Sequence, residues 1–317
     1  ALRQGIVLPY GCRDGACGSC KAKALTGSWD QGAHQPSALK SDEAAQGFLL
    51  TCCSRARSDM QIECRAVSGL SDIPIRKMPS RIASIERPVS DVAIIRLQLP
   101  ANERLKYLAG QYLEILMRDG SRRAYSIASA PESNEPLELH IRHMPGGKFT
   151  DPLFGVGSNL VKEKDILRFE GPLGTFFLRE DHLRPMILLA SGTGFAPIKA
   201  IVEHAQAKGI NRSMHLYWGG RRPQDLYQQS RCQEWAESMP HLQFIPVVSD
   251  ALAEDNWQGR SGFVHRAVME DFPDLAGFEV YACGAPVMID AARKDFVERC
   301  HLDPELFFAD AFTSAAD

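Results

Sequence analysis

Four cysteines pose the first chemical question. Cys12, Cys17 and Cys20 follow the pattern C-x4-C-x2-C, and 31 residues separate Cys20 from Cys52. This is the ligand spacing of a plant-type [2Fe–2S] cluster, in which one loop wraps round the irons and offers three thiolates from one side. Gly11, Gly15 and Gly18 lie among these cysteines. They permit the backbone turns such a loop needs and let amide groups approach the sulfurs. A structural zinc site would pair C-x2-C with a second C-x2-C or with H-x3-H, and neither follows. The spacing leaves the fourth ligand open, because Cys53 adjoins Cys52 and Cys64 lies further on.

A second group of residues suits a flavin. In Arg123-Ala124-Tyr125-Ser126 the Arg is a bidentate donor for a phosphate, the Tyr can pack on an isoalloxazine ring, and the Ser hydroxyl can approach its N5. Twenty residues on, Gly146-Gly147-Lys148-Phe149-Thr150 is a Gly pair leading into a helix. It offers backbone N–H groups to a pyrophosphate, with Arg142 adding charge. Alone, Arg-x-Tyr-Ser reads equally as an ordinary strand end. Joined to the second motif at this spacing, it reads as a seat for a flavin.

A third group suits a nucleotide. Ala190-Ser191-Gly192-Thr193-Gly194-Phe195-Ala196-Pro197 joins an apolar strand to a helix. Its glycines allow a tight turn and close approach of a phosphate to the helix N-terminus, and Pro197 suits a first helical turn. It is neither G-x-G-x-x-G nor a P-loop, so a Gly-rich connection without ligand is the alternative. Cys283-Gly284 follows a strand ending Tyr281-Ala282, at the end of the sheet where open α/β folds bind ligands. Cys283 is a candidate for the nicotinamide side, or a small buried apolar residue.

These groups need elements to hold them. At 317 residues the chain has room for two or three domains. Residues 1–70 are rich in Cys and Gly. Residues 80–180 read as short strands: Asp91–Leu99 alternates with Ile95, Leu97 and Leu99 on one face, and Tyr112–Met117, Ala124–Ala128 and Leu137–Ile141 are similar runs. Their spacing predicts an antiparallel barrel or sandwich. Between them, Ser71–Pro79 with two prolines reads as a linker. Residues 181–317 alternate strand and helix. Strands are expected at Met186–Ala190, Met214–Tyr217, Phe244–Val248 and Val280–Ala282. Helices are expected over Ile198–Ala205, ended by Gly209, and over Gln224–Ser238 and Pro286–Arg299. Such alternation predicts a doubly wound parallel sheet.

Composition removes several classes. The net charge of −3 gives no basic excess for nucleic acid and no acidic tail. No apolar stretch reaches the roughly 18 residues a membrane helix needs, and the start lacks a signal peptide's charged head and apolar run. Six of the nine cysteines precede residue 65, which in a reducing compartment points to metal or redox chemistry instead of disulfides. A cytoplasmic location is expected.

Taken in order, the cysteine motif, Arg123-x-Tyr125-Ser126, Gly146-Gly147-x-x-Thr150, Gly192-Thr193-Gly194-Phe195-Ala196-Pro197 and Cys283-Gly284 resemble the successive signatures of the ferredoxin–NADP reductase superfamily with a fused plant-type ferredoxin. The likeness covers essentially the whole chain. The ferredoxin-first order is similar to that of reductases of aromatic-ring and phenol oxygenases. Leu50-Thr51-Cys52-Cys53-Ser54, Leu108-Ala109-Gly110-Gln111-Tyr112, Glu170-Gly171-Pro172-Leu173-Gly174-Thr175-Phe176-Phe177, Tyr217-Trp218-Gly219 and Phe307-Phe308-Ala309-Asp310-Ala311-Phe312 look like the CDP-6-deoxy-delta-3,4-glucoseen reductases and their relatives.

The resemblance implies a β-grasp ferredoxin domain (1–70), an antiparallel β-barrel FAD domain (80–180) and a doubly wound parallel α/β domain for NAD(P)H (181–317). It implies that Cys12, Cys17, Cys20 and Cys52 hold the cluster. Arg123, Tyr125 and Ser126 would bind FAD, and Gly147 to Thr150 its pyrophosphate. Gly192, Thr193, Gly194, Phe195 and Cys283 would face the nicotinamide nucleotide. Phe312 would lie near the flavin, although five residues follow it. Ala124, His140, Arg142, Gly146, Gly219, Arg221, Arg222 and Gly284 complete the expected cofactor seats, with Ser126, Cys283 and Phe312 nearest the reaction. A plant-type ferredoxin has a hairpin and most of a helix before its first cluster cysteine. Only eleven residues precede Cys12, so Ala1–Ile6 is expected to be a helix end and the domain to be N-terminally truncated by roughly 30 residues. The implied activity is an NAD(P)H-dependent reductase that sends electrons through FAD and [2Fe–2S] to a protein acceptor, a deoxysugar dehydratase or an oxygenase. A redox sensor or a zinc-stabilised binding protein is the non-catalytic rival. Arg221 and Arg222 are available to a 2′-phosphate and Asp225 opposes one; the resemblance favours NADH.

Overall fold

The first unit is small and thinly cored. Its elements are β1 (Lys21–Thr26), β2 (Trp29–Gln31), α1 (Ser41–Ala45), β3 (Phe48–Leu50), β4 (Ser54–Ala56) and β5 (Gln61–Glu63). They form a β3-β1-β5 sheet and a β2-β4 pair. The computed structural model describes residues 6–64, 67, 70 and 72–313. The expected helix end at Ala1–Ile6 therefore lies outside the described residues except for Ile6. Cys20, Ala38, Leu39 and Leu50 form this unit's small buried cluster, with Val7, Ala22 and Leu49 buried beside it. A core this small needs a bound group or a neighbour to hold it. The neighbour is the second unit: Tyr112 Oη donates to the carbonyl of Gly11 at 2.7 Å, and Thr175 bonds both the N–H and the carbonyl of Tyr10 through its Oγ1 at 3.0 Å.

The second unit contains β6 (Arg76–Val89), β7 (Val92–Gln98), β8 (Tyr112–Leu116), β9 (Arg122–Ser126), β10 (Leu137–Arg142), α2 (Thr150–Leu153) and β11 (Ile166–Leu173). Strand order is β10-β7-β6-β11-β8-β9, all antiparallel. A bridge between Ile127 and Leu139 joins the two edges, so this is the barrel and not the sandwich. The expected alternation holds, with Ile95 and Leu97 fully buried in the barrel core. Two expectations are corrected. β6 begins at Arg76, inside the segment read as a linker, because an antiparallel partner pairs even with Pro79 (opposite Arg168). β9 covers Arg122–Ser126 and not Ala124–Ala128.

The third unit contains β12 (Met186–Ser191), α3 (Phe195–Lys208), β13 (Met214–Gly220), α4 (Gln229–Ser238), β14 (Leu242–Val248), β15 (Arg260–Ser261), α5 (Val264–Asp271), β16 (Glu279–Gly284), α6 (Pro286–Arg299) and β17 (Phe307–Ala311). The sheet is parallel throughout, in the order β15-β14-β13-β12-β16-β17. β12 is buried through Ala190 because helices cover both faces of such a sheet. α3 ends where expected, at Gly209 in the left-handed region (φ 65°). α4 starts at Gln229 and not Gln224, because Asp225 accepts the N–H groups of Arg221 and Arg222 and holds a separate turn there.

The strand order reverses between β12 and β16, the crevice where such sheets bind ligands. The loops after these two strands interlock. A Cβ on Gly194 would lie 2.2 Å from the carbonyl oxygen of Cys283, and one on Gly284 would lie 2.2 Å from Ser191 Oγ. Only glycine fits either place. Gly194→Ala is expected to cost about 1–3 kcal/mol through overpacking, read as a lower melting temperature of the full-length protein.

Candidate functional site

One open cleft of about 1290 Å³ runs past all three units. The first unit gives it Gly11, Cys12, Arg13 and Asp14. The second gives it Arg123, Ala124, Tyr125 and Ser126 of β9, with Gly147, Phe149 and Thr150. The third gives it Gly192 and Thr193, Gly219 and Arg221, Gly284, and the start of α6. The cysteine loop, the flavin motif and the Gly-rich nucleotide loop, far apart in sequence, share this wall.

The four cysteines are arranged two and two. The amides of Ala16 and Cys17 donate to Cys12 Sγ and the amide of Cys12 donates to Cys17 Sγ, each at 3.3 Å. A hydrogen bond between the two thiols pushes the Cys12 pKa up and draws Cys17 down to about 6. The same bond between Cys20 and Cys52 raises Cys20 and lowers Cys52. Each pair thus has one thiol shifted toward the thiolate, the form that binds metal. Among the described residues no three His, Cys, Asp or Glu side chains gather as a single-ion site requires. Two pairs are what two bridged irons need. Gly15, at φ 78°, brings its amide to Cys52, and a Cβ there would meet Ala33 O at 2.8 Å. Cys53 lies beside this pair: its thiol bonds that of Cys52, Gln31 Nε2 donates to its Sγ at 3.2 Å, and burial raises its pKa. Cys64 is influenced only by burial.

The flavin motif also fits its group, with one change. Tyr125 leans on buried Phe149 (ring centres 5.7 Å apart, 49° between planes). Gly146 and Gly147 do not present their N–H groups to the cleft. Gly146 donates to the Asp151 carboxylate at 3.1 Å and Gly147 to Met144 O at 2.9 Å. Among the described residues, the Lys148 and Phe149 amides have no partner in the turn, so the N–H groups left open to an anion lie one or two residues on. The Lys148 side chain is turned outward to Asp119 at 3.0 Å.

At the nucleotide end, several expected residues are structural. Phe195 is fully buried and stacks on Trp218 at 3.9 Å, 9° from parallel. Cys283 has no exposed surface, and burial pushes its thiol pKa well up. Gly194 packs against its carbonyl. Arg222 is clasped by Asp255 at 2.8 and 2.9 Å, so it is not free for a phosphate. Ser191, Gly192, Thr193, Arg221 and Gly284 remain on the wall, with Phe312 held over it by a bond from its N–H to Gly284 O at 2.8 Å.

One residue was missed. Asp310 on β17 lies in the cleft and accepts the Ser126 hydroxyl. Burial, aided by the nearby Cys17 charge and opposed by the Ser126 bond, raises its pKa to about 7. An acid inside the apolar run Phe307–Phe312 was the available signal.

This fold and cleft define an iron–sulfur flavoprotein reductase. Comparison with known proteins agrees. Residues 1–57 match the 2Fe-2S iron-sulfur cluster binding domain, 79–178 the oxidoreductase FAD-binding domain and 188–294 the oxidoreductase NAD-binding domain. The CDP-6-deoxy-L-threo-D-glycero-4-hexulose-3-dehydrase reductase of Yersinia pseudotuberculosis is 44% identical over 98% of this chain and 91% of its own. Reductase component 1 of the terephthalate 1,2-dioxygenase of Comamonas sp is 33% identical over 92% and 85%. Among solved structures, the Amycolatopsis cytochrome P450 reductase GcoB superposes with a TM-score of 0.81 at 35% identity, over 99% of this chain and 93% of that one. The chain belongs to the ferredoxin–NADP reductase family of [2Fe–2S] flavoprotein reductases. It is an oxidoreductase with seats for FAD, a nicotinamide nucleotide and a [2Fe–2S] cluster. No helix among the described residues is long and apolar enough to cross a membrane.

The fourth ligand can be decided directly. Cys52→Ser should abolish the visible absorbance and iron content of the cluster, while Cys53→Ser keeps both. The reverse result would reassign the ligand.

Proposed function

We propose that this chain takes electrons from NADH and delivers them one at a time to a partner that dehydrates a CDP-linked deoxyhexulose. The observation that carries the reading is the single cleft shared by Cys12, Ser126 and Gly192. The partner follows from the Yersinia relative, whose name describes a reductase for such a dehydrase. Its higher identity (44% against 33%) favours it over the oxygenase partners of the Comamonas type.

Bound FAD supplies the conversion between a two-electron hydride and the single electrons an iron–sulfur cluster accepts. The chain's residues do the rest. Gly192 and Thr193 receive the nucleotide at the strand ends, where the crossover opens the sheet. Tyr125 and Phe149 form the flavin's apolar wall, Arg123 and the amides after Gly147 its phosphate grip. Ser126 and Asp310 place a hydroxyl and a carboxylate with pKa near 7 together, so a proton can be held or released there at working pH. The Cys12–Cys17 pair stands on the flavin side, since Cys12 lines the cleft and Cys17 acts on Asp310. Cys20 and Cys52 form the other pair, with Cys20 in the first unit's buried core and Cys52 half-buried.

The nucleotide choice follows from charge. Asp225 on the cleft wall presents an acceptor suited to ribose hydroxyls and repels a 2′-phosphate. Arg222 is neutralised by Asp255. NADH should exceed NADPH at least tenfold in kcat/KM in steady-state assays.

Anaerobic NADH should bleach the flavin near about 450 nm and then the broad cluster absorbance. Bleaching of the flavin with the cluster left oxidised would sink the route. Addition of the purified dehydrase with its sugar nucleotide should reoxidise both; reoxidation only by an oxygenase would select the other partner. Asp310→Asn should keep FAD content and lower the rate of flavin reduction at least tenfold. It should also remove any inflection near pH 7 from the rate profile.

A further inference from the structure

The barrel and the nucleotide unit are joined by a buried polar chain that the reading above does not use. Glu138 on β10 is its centre, 7% exposed. Its Oε1 lies 2.9 Å from His140 Nε2 and 3.2 Å from Lys199 Nζ, and its Oε2 lies 3.1 Å from Arg96. Burial alone would raise its pKa, but the His140 bond and the surrounding positive charges hold it at about 2. Paired with Arg96 and Lys199, it is a buried anion.

That charge fixes a direction. A carboxylate only accepts, so His140 donates from Nε2. Its Nδ1 must then accept from the Tyr227 hydroxyl at 2.8 Å. Burial lowers the His140 pKa and raises that of Tyr227 well above its ordinary value, so a neutral ring and an intact phenol are the stable pair. Lys199 also donates to Ala128 O at 3.3 Å, just past the end of β9, and pairs with Glu203 at 2.9 Å. Glu138 and His140 belong to the barrel. Tyr227 and Lys199 belong to the nucleotide unit.

Both ends of the chain reach a cofactor seat. Tyr227 meets Trp218 edge-on at 5.1 Å, and Trp218 stacks on Phe195. The Trp218 indole N–H donates to Gly192 O at 3.0 Å. Lys199 is one turn along α3 from Phe195. The other end is β9 and β10, which carry Ser126 and His140 on the cleft wall.

We propose that the Tyr227–His140–Glu138–Lys199 chain sets the spacing between the flavin and nicotinamide seats, with Tyr227 and Lys199 as positioning residues. The proposal rests on the seat assignments above. Hydride transfer is steeply sensitive to such spacing, and a misplacement of about 1 Å costs on the order of a hundredfold.

The test compares full-length holoprotein variants. Tyr227→Phe removes one hydroxyl and keeps every ring contact. Lys199→Met removes the charge and leaves Glu138 short of a partner. Stopped-flow reduction by saturating NADH should slow about tenfold in Tyr227→Phe and more in Lys199→Met, with NADH affinity within about twofold. FAD content of Tyr227→Phe should be unchanged and its melting temperature within about 5 °C of wild type. Lys199→Arg should recover part of the rate. Independently of turnover, amide hydrogen exchange at residues 192–195 should accelerate in Tyr227→Phe without nucleotide. A Tyr227→Phe protein that reduces within twofold of wild type and exchanges at the wild-type rate overturns the proposal. Should wild type itself fail to bleach with NADH, the seat assignment is what fails, and the exchange comparison still decides the positioning claim.

Discussion

No side chain fits between Gly194 and the carbonyl of Cys283, and much of the molecule follows from that contact. It brings the loops after β12 and β16 together at the crossover of the parallel sheet. Ser191 Oγ then accepts the N–H of Ala285 at 3.0 Å, which fixes the start of α6. α3 leaves from the same point. β17 runs beside β16 in a register that pairs Cys283 with Asp310 and Gly284 with Ala311. Asp310 and Phe312 are thereby carried over the cleft. A backbone approach this close serves a ligand site well, because it is stiff and leaves the loop's outer face bare for a phosphate.

The barrel is the middle piece because its group must touch both neighbours. Its contacts differ on the two sides. Toward the cysteine loop it uses few bonds, chiefly Tyr112 to Gly11, Thr175 to Tyr10 and a loose Arg13–Glu114 pair at 3.8 Å. Toward the nucleotide unit it meets α3, in which ten of fourteen residues are buried. Lys199 and His204 are among them, and both pair with barrel carboxylates, Glu138 and Glu132. Exposed ion pairs contribute little, but buried ones punish any wrong geometry, since each unpaired charge would remain in a low-dielectric interior. The tighter side is the side where hydride must pass over a short distance. Single electrons tolerate a looser join.

Local patterns were legible wherever burial repeated along the chain. β7, β8, β10 and α3 show the period of their element, and β12 is an unbroken apolar run. β6 was hidden by Pro79 and Pro88, which argue against a strand unless a partner is already in place. β11 was hidden by Gly171-Pro172 in its second half. Among site residues, type alone misled in predictable ways. Phe195 and Cys283 sit in the signatures but serve packing, one on Trp218 and one under Gly194. Arg222 has the right charge, yet Asp255, thirty-three residues away, has claimed it.

The sequence by itself determined the cofactors. Thiol spacing, the two Gly turns and Arg-x-Tyr-Ser act over a few residues, and local chemistry is written locally. The order of the units and the periods of their main elements were determined in the same way. Tertiary structure alone decided which residues face the cleft, that the Cys52 thiol meets Cys20, and that Asp310 meets Ser126. Each of these depends on contacts between distant segments, whose burial and charge are set by the packed fold and by no neighbour in the chain.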